Sequence, residues 1–504
     1  MSKERIVNDF IRALEEAGLI LSVSCENDNR VTSITYNSKE VKEGTLFACK
    51  GVHFKEQYLD DAIQKGAVCY VSEKEYSKAT DKCTEIIVKD IRQAMSIISE
   101  TFYENLSDEI AMVGITGTKG KSTTAYFMRY ILDDYMLATG GNRSAICSGI
   151  VNYDGVIEED SHLTTPEAME LYFHMDNAIN SNIKYMTMEV SSQALKYGRV
   201  DGITFEVGCF LNIGTDHISN IEHTDFEDYF NSKLKLFEKC RHMCINLDCE
   251  GQEEIKLAAQ NCPDVITFSR KDKRANVYGY DVKSSHGKVS FKANISGVKG
   301  YKDTLAEFTL GTFGTINIEN ALSAISMSAV LGVPVSFIQS GLAKAISPGR
   351  MEVFYSEDGN RIAVVDYAHN KLSYEKFFET IGDEFPDKKI IIVFGCPGGK
   401  AFARREELGT IAGERCTYSI ITEEDAGEES VEKICEEVAT FVRKAGGDCE
   451  IITDREEAIK KAISLMDDNT MLFVPGKGRE TTQKRGIEYV KTLSDAEAVE
   501  KYLQ

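Results

Sequence analysis

Apolar positions along this chain alternate between two spacings, and the changes between them divide it into segments. Between residues 3 and 18, Ile6, Phe10 and Leu14 fall about a helical turn apart, which predicts an amphipathic helix. Strand-like runs follow at Val31–Tyr36 and Thr45–Ala48 around the polar turn 37–44. A helix over 58–65, a strand over 67–71 and a helix from 90 to 105 complete a small α/β unit. Ile110 to Ile115 then reads as a buried strand, and from Lys121 a helical pattern carries Phe127, Met128 and Ile131. Further on, Tyr185–Glu189 and Phe205–Ile213 read as strands and Phe226–Phe237 as a helix. Val277–Ile295 reads as a hairpin, and a long helix starts near Asn317. After the break at Ser347-Pro-Gly-Arg350, strands are predicted at Ile362–Asp366, Ile390–Phe394, Tyr418–Ile421, Cys449–Ile452 and Met471–Val474, with helices between them. Strand and helix alternating in this way predict an α/β protein with parallel sheets.

Composition narrows the picture. A chain of 504 residues suggests about three domains. The expected limits are 1–105, 106–346 and 347–504. A formal charge of −22 argues against nucleic acid as a partner, so an anionic ligand must meet locally placed Lys, Arg and N–H groups. No apolar run is long enough to span a bilayer, and the start of the chain does not read as a signal peptide. The 14 scattered cysteines suit reduced thiols, so a cytoplasmic location is expected.

The candidate chemistry begins at Thr116-Gly-Thr-Lys-Gly-Lys-Ser122, between the strand ending near Ile115 and the following helix. Glycines let backbone N–H groups close around phosphate oxygens, and the helix N-terminus adds a favourable field. Lys121 would supply a point charge and Ser122 a hydroxyl for Mg²⁺. The spacing departs slightly from the usual P-loop, because Gly114 lies six residues before Gly120. Glu189, Ser191 and Ser192 end one apolar strand. A carboxylate at such a strand end suits a metal on bound phosphate as readily as a helix start. Taken alone, Ser38 reads as a turn former before a ligand contact, Lys233 as a solvated lysine, and Asn317 and Asn320 as helix caps whose amides could also read an adenine edge. Cys240, His242, Cys244 and Cys249 look like a metal cluster but match no zinc spacing. In the last segment Val365-Asp-Tyr-Ala-His369, Phe394 to Lys400, Thr422 to Gly427 and Pro475 to Glu480 follow four strands, which predicts a ligand crevice on one sheet edge.

Read together, Thr-Gly-Thr-Lys-Gly-Lys-Ser, Thr-Thr-Pro-Glu, Met-Glu-Val-Ser-Ser, Thr-Asp-His, Tyr-Phe-x-x-Lys-x-x-Leu-Phe, Pro-Gly-Arg-Met-Glu, Asp-Tyr-Ala-His and Gly-Lys-Gly-x-Glu resemble the Mur ligase family along nearly the whole chain. The resemblance implies a small N-terminal α/β UDP-binding domain, a central P-loop ATPase domain and a C-terminal Rossmann-like domain. It implies an ATP-dependent ligase of peptidoglycan synthesis that adds a third amino acid to UDP-N-acetylmuramoyl-L-alanyl-D-glutamate through an acyl phosphate. Thr116, Gly117, Thr118, Lys119, Gly120, Lys121, Ser122, Asn317, Asn320, Arg350 and Asp366 would then bind ATP. Lys121, Glu189, His217 and Lys233 would be catalytic. Mg²⁺ would be held by Ser122, Glu189, His217 and Lys233, the last as a carbamate. Ser38, Thr164, Thr165, Ser191 and Arg199 would bind the UDP-sugar peptide, while Tyr197 stands where relatives often have Gln. Lys400, Glu424, Asp425, Gly476 and Glu480 would bind the free amino acid.

Relatives that add diaminopimelate carry Asp-Asn-Pro-Arg where this chain has Glu424-Asp-Ala-Gly427, without the arginine that grips a second carboxylate. L-lysine is therefore expected, with meso-diaminopimelate or ornithine as alternatives. The expected partners are the nucleotide-sugar peptide and a free amino acid, with no nucleic acid, no membrane and a monomeric state. A rival from another class is a nucleotide-dependent binding protein without ligase activity.

Overall fold

The computed structural model describes all residues except 1–4, 26, 52–53, 105, 215–221 and 286–287. The chain forms two compact units, one of residues 1–279, 293–306 and 319–341, the other of 280–292, 307–318 and 342–504.

The first unit opens with the helix Val7–Glu16 and a 5-stranded sheet in the order Ile20–Ser24, Thr84–Val88, Ala67–Ser72, Thr45–Ala48, Ser33–Thr35. The helix Ile91–Tyr103 is capped by Asp90, which accepts from Arg92 N and Gln93 N. Its apolar positions Ala94, Met95, Ile98 and Phe102 are buried in the same core as Phe10, Leu14, Leu171 and Met175. That core joins the small sheet to the larger one.

In the larger sheet Glu158–Asp160, Val151–Tyr153, Ala145–Cys147, Tyr185–Glu189, Ala111–Thr116, Phe205–Phe210, Cys240–Asn246 and Asp264–Ser269 lie side by side. The Ala111–Thr116 strand runs parallel to both neighbours, with Gly114 opposite Met188 and Gly208. Glu189 and Thr116 therefore end their strands at one edge. The helix Lys121–Ala138 starts beside that edge, with Phe127, Met128, Ile131 and Leu132 buried.

The second unit carries a 6-stranded sheet in the order Glu352–Tyr355, Ile362–Asp366, Thr470–Pro475, Lys389–Phe394, Tyr418–Ile421, Cys449–Ile451. Only the first of these pairs antiparallel, so the loops after the others share one edge. Separate apolar clusters pack on the two faces, one around Phe377 and Val438, the other around Ile459 and Val499. That is the doubly wound arrangement expected from the alternation.

The expectations differ from the structure in a few places. Val31–Tyr36 is two pieces, Arg30–Val31 and Ser33–Thr35, which pair with different neighbours. The break falls at Thr32, whose hydroxyl and N–H both turn to the 43–44 backbone. The Phe205 strand ends at Phe210, because Leu211 and Asn212 turn toward the 116–119 loop. The Phe226 helix is α-helical to Leu234 and continues as a 3₁₀ turn over Lys235–Lys239. Cys240 to Cys244 lie in a strand in which Cys240 and Cys244 are buried, and His242 pairs with Asp264 at 2.8 Å. Among the described residues no group of three or more His, Cys, Asp or Glu could hold a metal ion. None of the described helices is long and apolar enough to cross a membrane.

Candidate functional site

The loop after the Ala111–Thr116 strand owes its shape to two glycines and one asparagine. Gly120 precedes the helix with φ +87°, and a Cβ there would collide with Asn320 Oδ1. Gly117 has φ +157°, and a Cβ would come to 2.9 Å from Leu211 Cβ. Asn212 Oδ1 accepts from Thr118 N at 3.1 Å and Lys119 N at 2.9 Å, while its Nδ2 donates to Lys119 O at 3.0 Å. The Thr118 hydroxyl meets the Tyr229 hydroxyl at 3.0 Å. Lys121 Nζ donates to Gly117 O at 2.9 Å and Thr118 O at 3.3 Å. Lys233, 1% exposed, donates from Nζ to the same Gly117 O at 2.9 Å. Its helix thus carries it into the loop, not into solvent as its composition alone suggested. Among the described residues Thr116 Oγ1 is buried with no hydrogen-bond partner, and Ser122, the second residue of the helix, is almost fully buried.

Glu189 is buried and accepts from Gly149 N at 2.8 Å. The Thr165 hydroxyl donates to Glu189 O at 2.9 Å and accepts from Ser191 N at 3.0 Å, with Ser191 Oγ at 3.1 Å. Ser191 in turn caps the helix Ser192–Lys196. Arg199 donates to Thr165 O at 3.2 Å and pairs with Glu167 at 2.9 Å, and its Nε is buried without a partner among the described residues. Lys50 reaches the same Glu167 oxygen at 2.6 Å and lies 4.8 Å from the Tyr36 ring centre. Burial pushes the Lys50 ammonium below its ordinary pKa, against the pull of Glu167. Thr165, Ser191 and Arg199 therefore meet in one cluster that continues the Glu189 strand. Thr164 borders Gly149, with its Oγ1 3.6 Å from where a Cβ would stand. Ser38 is placed by its carbonyl, which accepts from Lys65 at 2.6 Å. Tyr197 stacks on Arg92 at 3.9 Å. His217 lies outside the described residues.

In the second unit Asp366 ends its strand and accepts from Met351 N and Ala368 N, both at 2.7 Å. Arg350 lies over Tyr367 at 4.8 Å, with its Nε unpartnered among the described residues. Asn317 donates to Phe313 O at 2.6 Å, closing its own helix start. On the same sheet edge Lys477 pairs with both oxygens of Asp425 at 3.0 Å and with Glu480. Arg455 forms a buried fork with Asp495 at 2.6 and 2.8 Å and donates to Glu423 O and Pro475 O. It thereby ties two of the predicted loops together. Glu424 is buried, and a Cβ on Gly476 (φ +116°) would run into its carboxylate. Burial lifts the Glu424 pKa to about 7, with Arg455 and Lys477 pulling the other way. Glu424, Asp425, Gly476 and Glu480 are thus brought together, whereas Lys400 sits exposed at the end of its own loop. Asn212, Lys50 and Arg455 escaped the sequence reading, and Tyr229 and Lys477 stood inside its motifs without a role of their own.

Residues 115–328 match the model of the Mur ligase middle domain, and residues 349–478 that of the Mur ligase glutamate ligase domain. A UDP-N-acetylmuramoyl-L-alanyl-D-glutamate–L-lysine ligase of Enterococcus faecalis is 36% identical over 508 residues, covering 99% of this chain and 97% of the relative. The chain belongs to the Mur ligase family. A UDP-N-acetylmuramyl-tripeptide synthetase of Lactobacillus delbrueckii subsp. bulgaricus is 34% identical, with 96% of each chain covered. The fold of this Mur ligase is shared with the solved structure of a UDP-N-acetylmuramoyl-L-alanyl-D-glutamate–2,6-diaminopimelate ligase, at TM-score 0.63 and 23% identity, with 94% of each chain covered. As a Mur ligase the protein is an ATP-dependent, ADP-forming ligase with the three-domain architecture of its neighbours.

Proposed function

We propose that this Mur ligase adds L-lysine as the third residue to UDP-N-acetylmuramoyl-L-alanyl-D-glutamate. Supporting this are the relatives just described, one of them named for that reaction. The observation that carries it is the 2.9 Å bond from Thr165 Oγ1 to Glu189 O. It joins Thr165, Ser191 and Arg199 to the end of the strand that neighbours Ala111–Thr116, which supports a reading in which the peptide carboxylate would lie next to the triphosphate.

In this reading Thr116 to Ser122 hold the phosphates, with Asn317, Asn320, Arg350 and Asp366 on the rest of the nucleotide. Ser38, Thr164, Thr165, Ser191 and Arg199 hold the sugar peptide. The D-glutamyl carboxylate attacks the γ-phosphorus of ATP and ADP leaves. The amine of lysine then attacks the acyl phosphate, loses a proton and expels phosphate. Lys121 stabilises charge on the transferring group, and the protein mainly positions the reactants and excludes water.

The buried Ser122 and Glu189, with a Thr116 hydroxyl that has no partner among the described residues, offer oxygens that suit a hard cation. They would hold Mg²⁺ together with His217 and Lys233 as a carbamate, and the metal would neutralise developing phosphate charge. Lys400, Glu424, Asp425, Gly476 and Glu480 receive the amino acid. Around that loop the carboxylates of Glu423, Asp425, Glu480 and Asp495 pair with Arg485, Lys477 and Arg455, and Glu424 adds a further buried carboxyl. An excess of acid suits a side chain that ends in an ammonium group. Domain limits of 1–105, 106–346 and 347–504, a monomeric state and a cytoplasmic location complete the proposal.

The test measures phosphate release with the UDP-sugar dipeptide and a panel of amino acids. Release must require both substrates and favour lysine. ATP turnover indifferent to both refutes the ligase reading, and preference for diaminopimelate refutes the choice of amino acid.

A further inference from the structure

The loop Thr422 to Gly427 is gripped from outside by the hairpin of Thr482–Arg485 and Glu488–Lys491. Gly427 N donates to Lys484 O at 2.9 Å, and Gly486 N donates to Gly427 O at 2.6 Å, so Arg485 runs alongside Gly427. Gln483 Oε1 accepts from Asp425 N at 2.9 Å, and Asp425 Oδ1 accepts from Lys484 N at 2.8 Å. A Cβ on Gly427 would meet only Gly486 O, at 3.9 Å, so the space beside it is open.

The backbone of an arginine, supplied by a distant stretch of the chain, therefore runs beside Gly427. Its fork is occupied, because Nε and Nη2 donate to Glu423 Oε2 and Oε1 at 2.9 and 2.6 Å. The acid is buried, its side chain 6% exposed, while that of Arg485 is 45% exposed. A guanidinium gripped along its Nε–Nη2 edge has that edge filled and its charge offset by the carboxylate, so it is a poorer partner for a second one. Rejecting one ligand class by cancelling the group that would bind it is a common route to specificity.

We propose that Glu423 is a specificity-determining residue. By occupying Arg485 it keeps amino acids whose side chain ends in a carboxylate from gaining a partner beside Gly427. The proposal rests on the reading of this loop as the amino-acid site. It is tested by measuring kcat/KM with L-lysine and with meso-diaminopimelate, which adds a carboxylate to the same carbon chain. The enzymes are the wild type, Glu423→Gln, Glu423→Ala and the double variant Glu423→Gln/Arg485→Ala, each checked by its melting curve. In the Glu423 variants the diaminopimelate-to-lysine ratio is expected to rise about tenfold or more, the scale of one charge-assisted fork. In the double variant the ratio should return to the wild-type value. An unchanged ratio in both Glu423 variants overturns the proposal, as does a rise that survives loss of Arg485. A wild type that ligates neither amino acid instead overturns the site reading on which it rests.

Discussion

Replacing Asn212 by alanine removes three hydrogen bonds from the phosphate loop, the two that Oδ1 accepts from Thr118 N and Lys119 N and the one that Nδ2 donates to Lys119 O. Asn212 is partly exposed, so water replaces some of each bond. At somewhat under 1 kcal/mol net apiece, the set amounts to about 2 kcal/mol. Those bonds fix the loop backbone between Gly117 and Gly120, and their loss lets it leave the shape proposed to close on phosphate. If the cost falls mainly on nucleotide binding, the KM for ATP rises on the order of 30-fold with kcat much less affected. The assay is phosphate release against ATP concentration with the other substrates saturating, alongside thermal melts with and without ADP. Asn212→Asp keeps the acceptor but loses the donor and sets a negative charge beside the phosphate path, so it should bind ATP no better than the alanine variant. A KM for ATP within about twofold of wild type in Asn212→Ala would show that the side chain does not shape the loop.

Three further outcomes are expected. Gly120→Ala forces a side chain into a positive-φ position against Asn320, so ATP-dependent phosphate release should fall at least tenfold, about the effect of 1–2 kcal/mol of strain at the loop, as steady-state kinetics will read. The Glu424 carboxyl is raised to about 7 in the folded protein, so its contribution to stability is fully present below its ordinary range near 4.5 and is lost as pH rises through about 7. Melting temperatures should drop across that window in the wild type and flatten in Glu424→Gln, while the wild-type KM for lysine falls as the carboxylate appears. Arg455→Met strands the buried Asp495 carboxylate and should cost about 3–5 kcal/mol in denaturant unfolding of the second unit, unlike a surface substitution such as Arg274→Met.

The strands of the second unit were readable because each is a short run of Ile, Val and Phe closed by a polar turn; Ile362–Asp366 and Tyr418–Ile421 have the limits their pattern predicted. Thr45–Ala48 and the Asn37–Gly44 turn were equally plain. Ile20–Ser24 and Thr84–Val88 were missed, since serines and a glutamate interrupt their apolar positions. Cys240–Asn246 was missed because its polar and sulphur-bearing residues suggested ligands where the sheet uses small, buried side chains. At the site, the phosphate loop and Glu189 carry their own local pattern. Asn212 and Thr118 stand 94 positions apart, and Arg455 and Asp495 40 apart. No local periodicity links such pairs; only the parallel register and the packing of separate helices do.

The Arg455–Asp495 fork also gives the final helix a duty remote from its place in the sequence. Asp495 is the first residue of Asp495–Tyr502, and through Arg455 it anchors the carbonyls of Glu423 and Pro475. Trimming that helix would slacken the two turns of backbone on which the proposed amino-acid site draws. Fusions at this terminus therefore call for a spacer that leaves Ser494 and Asp495 undisturbed.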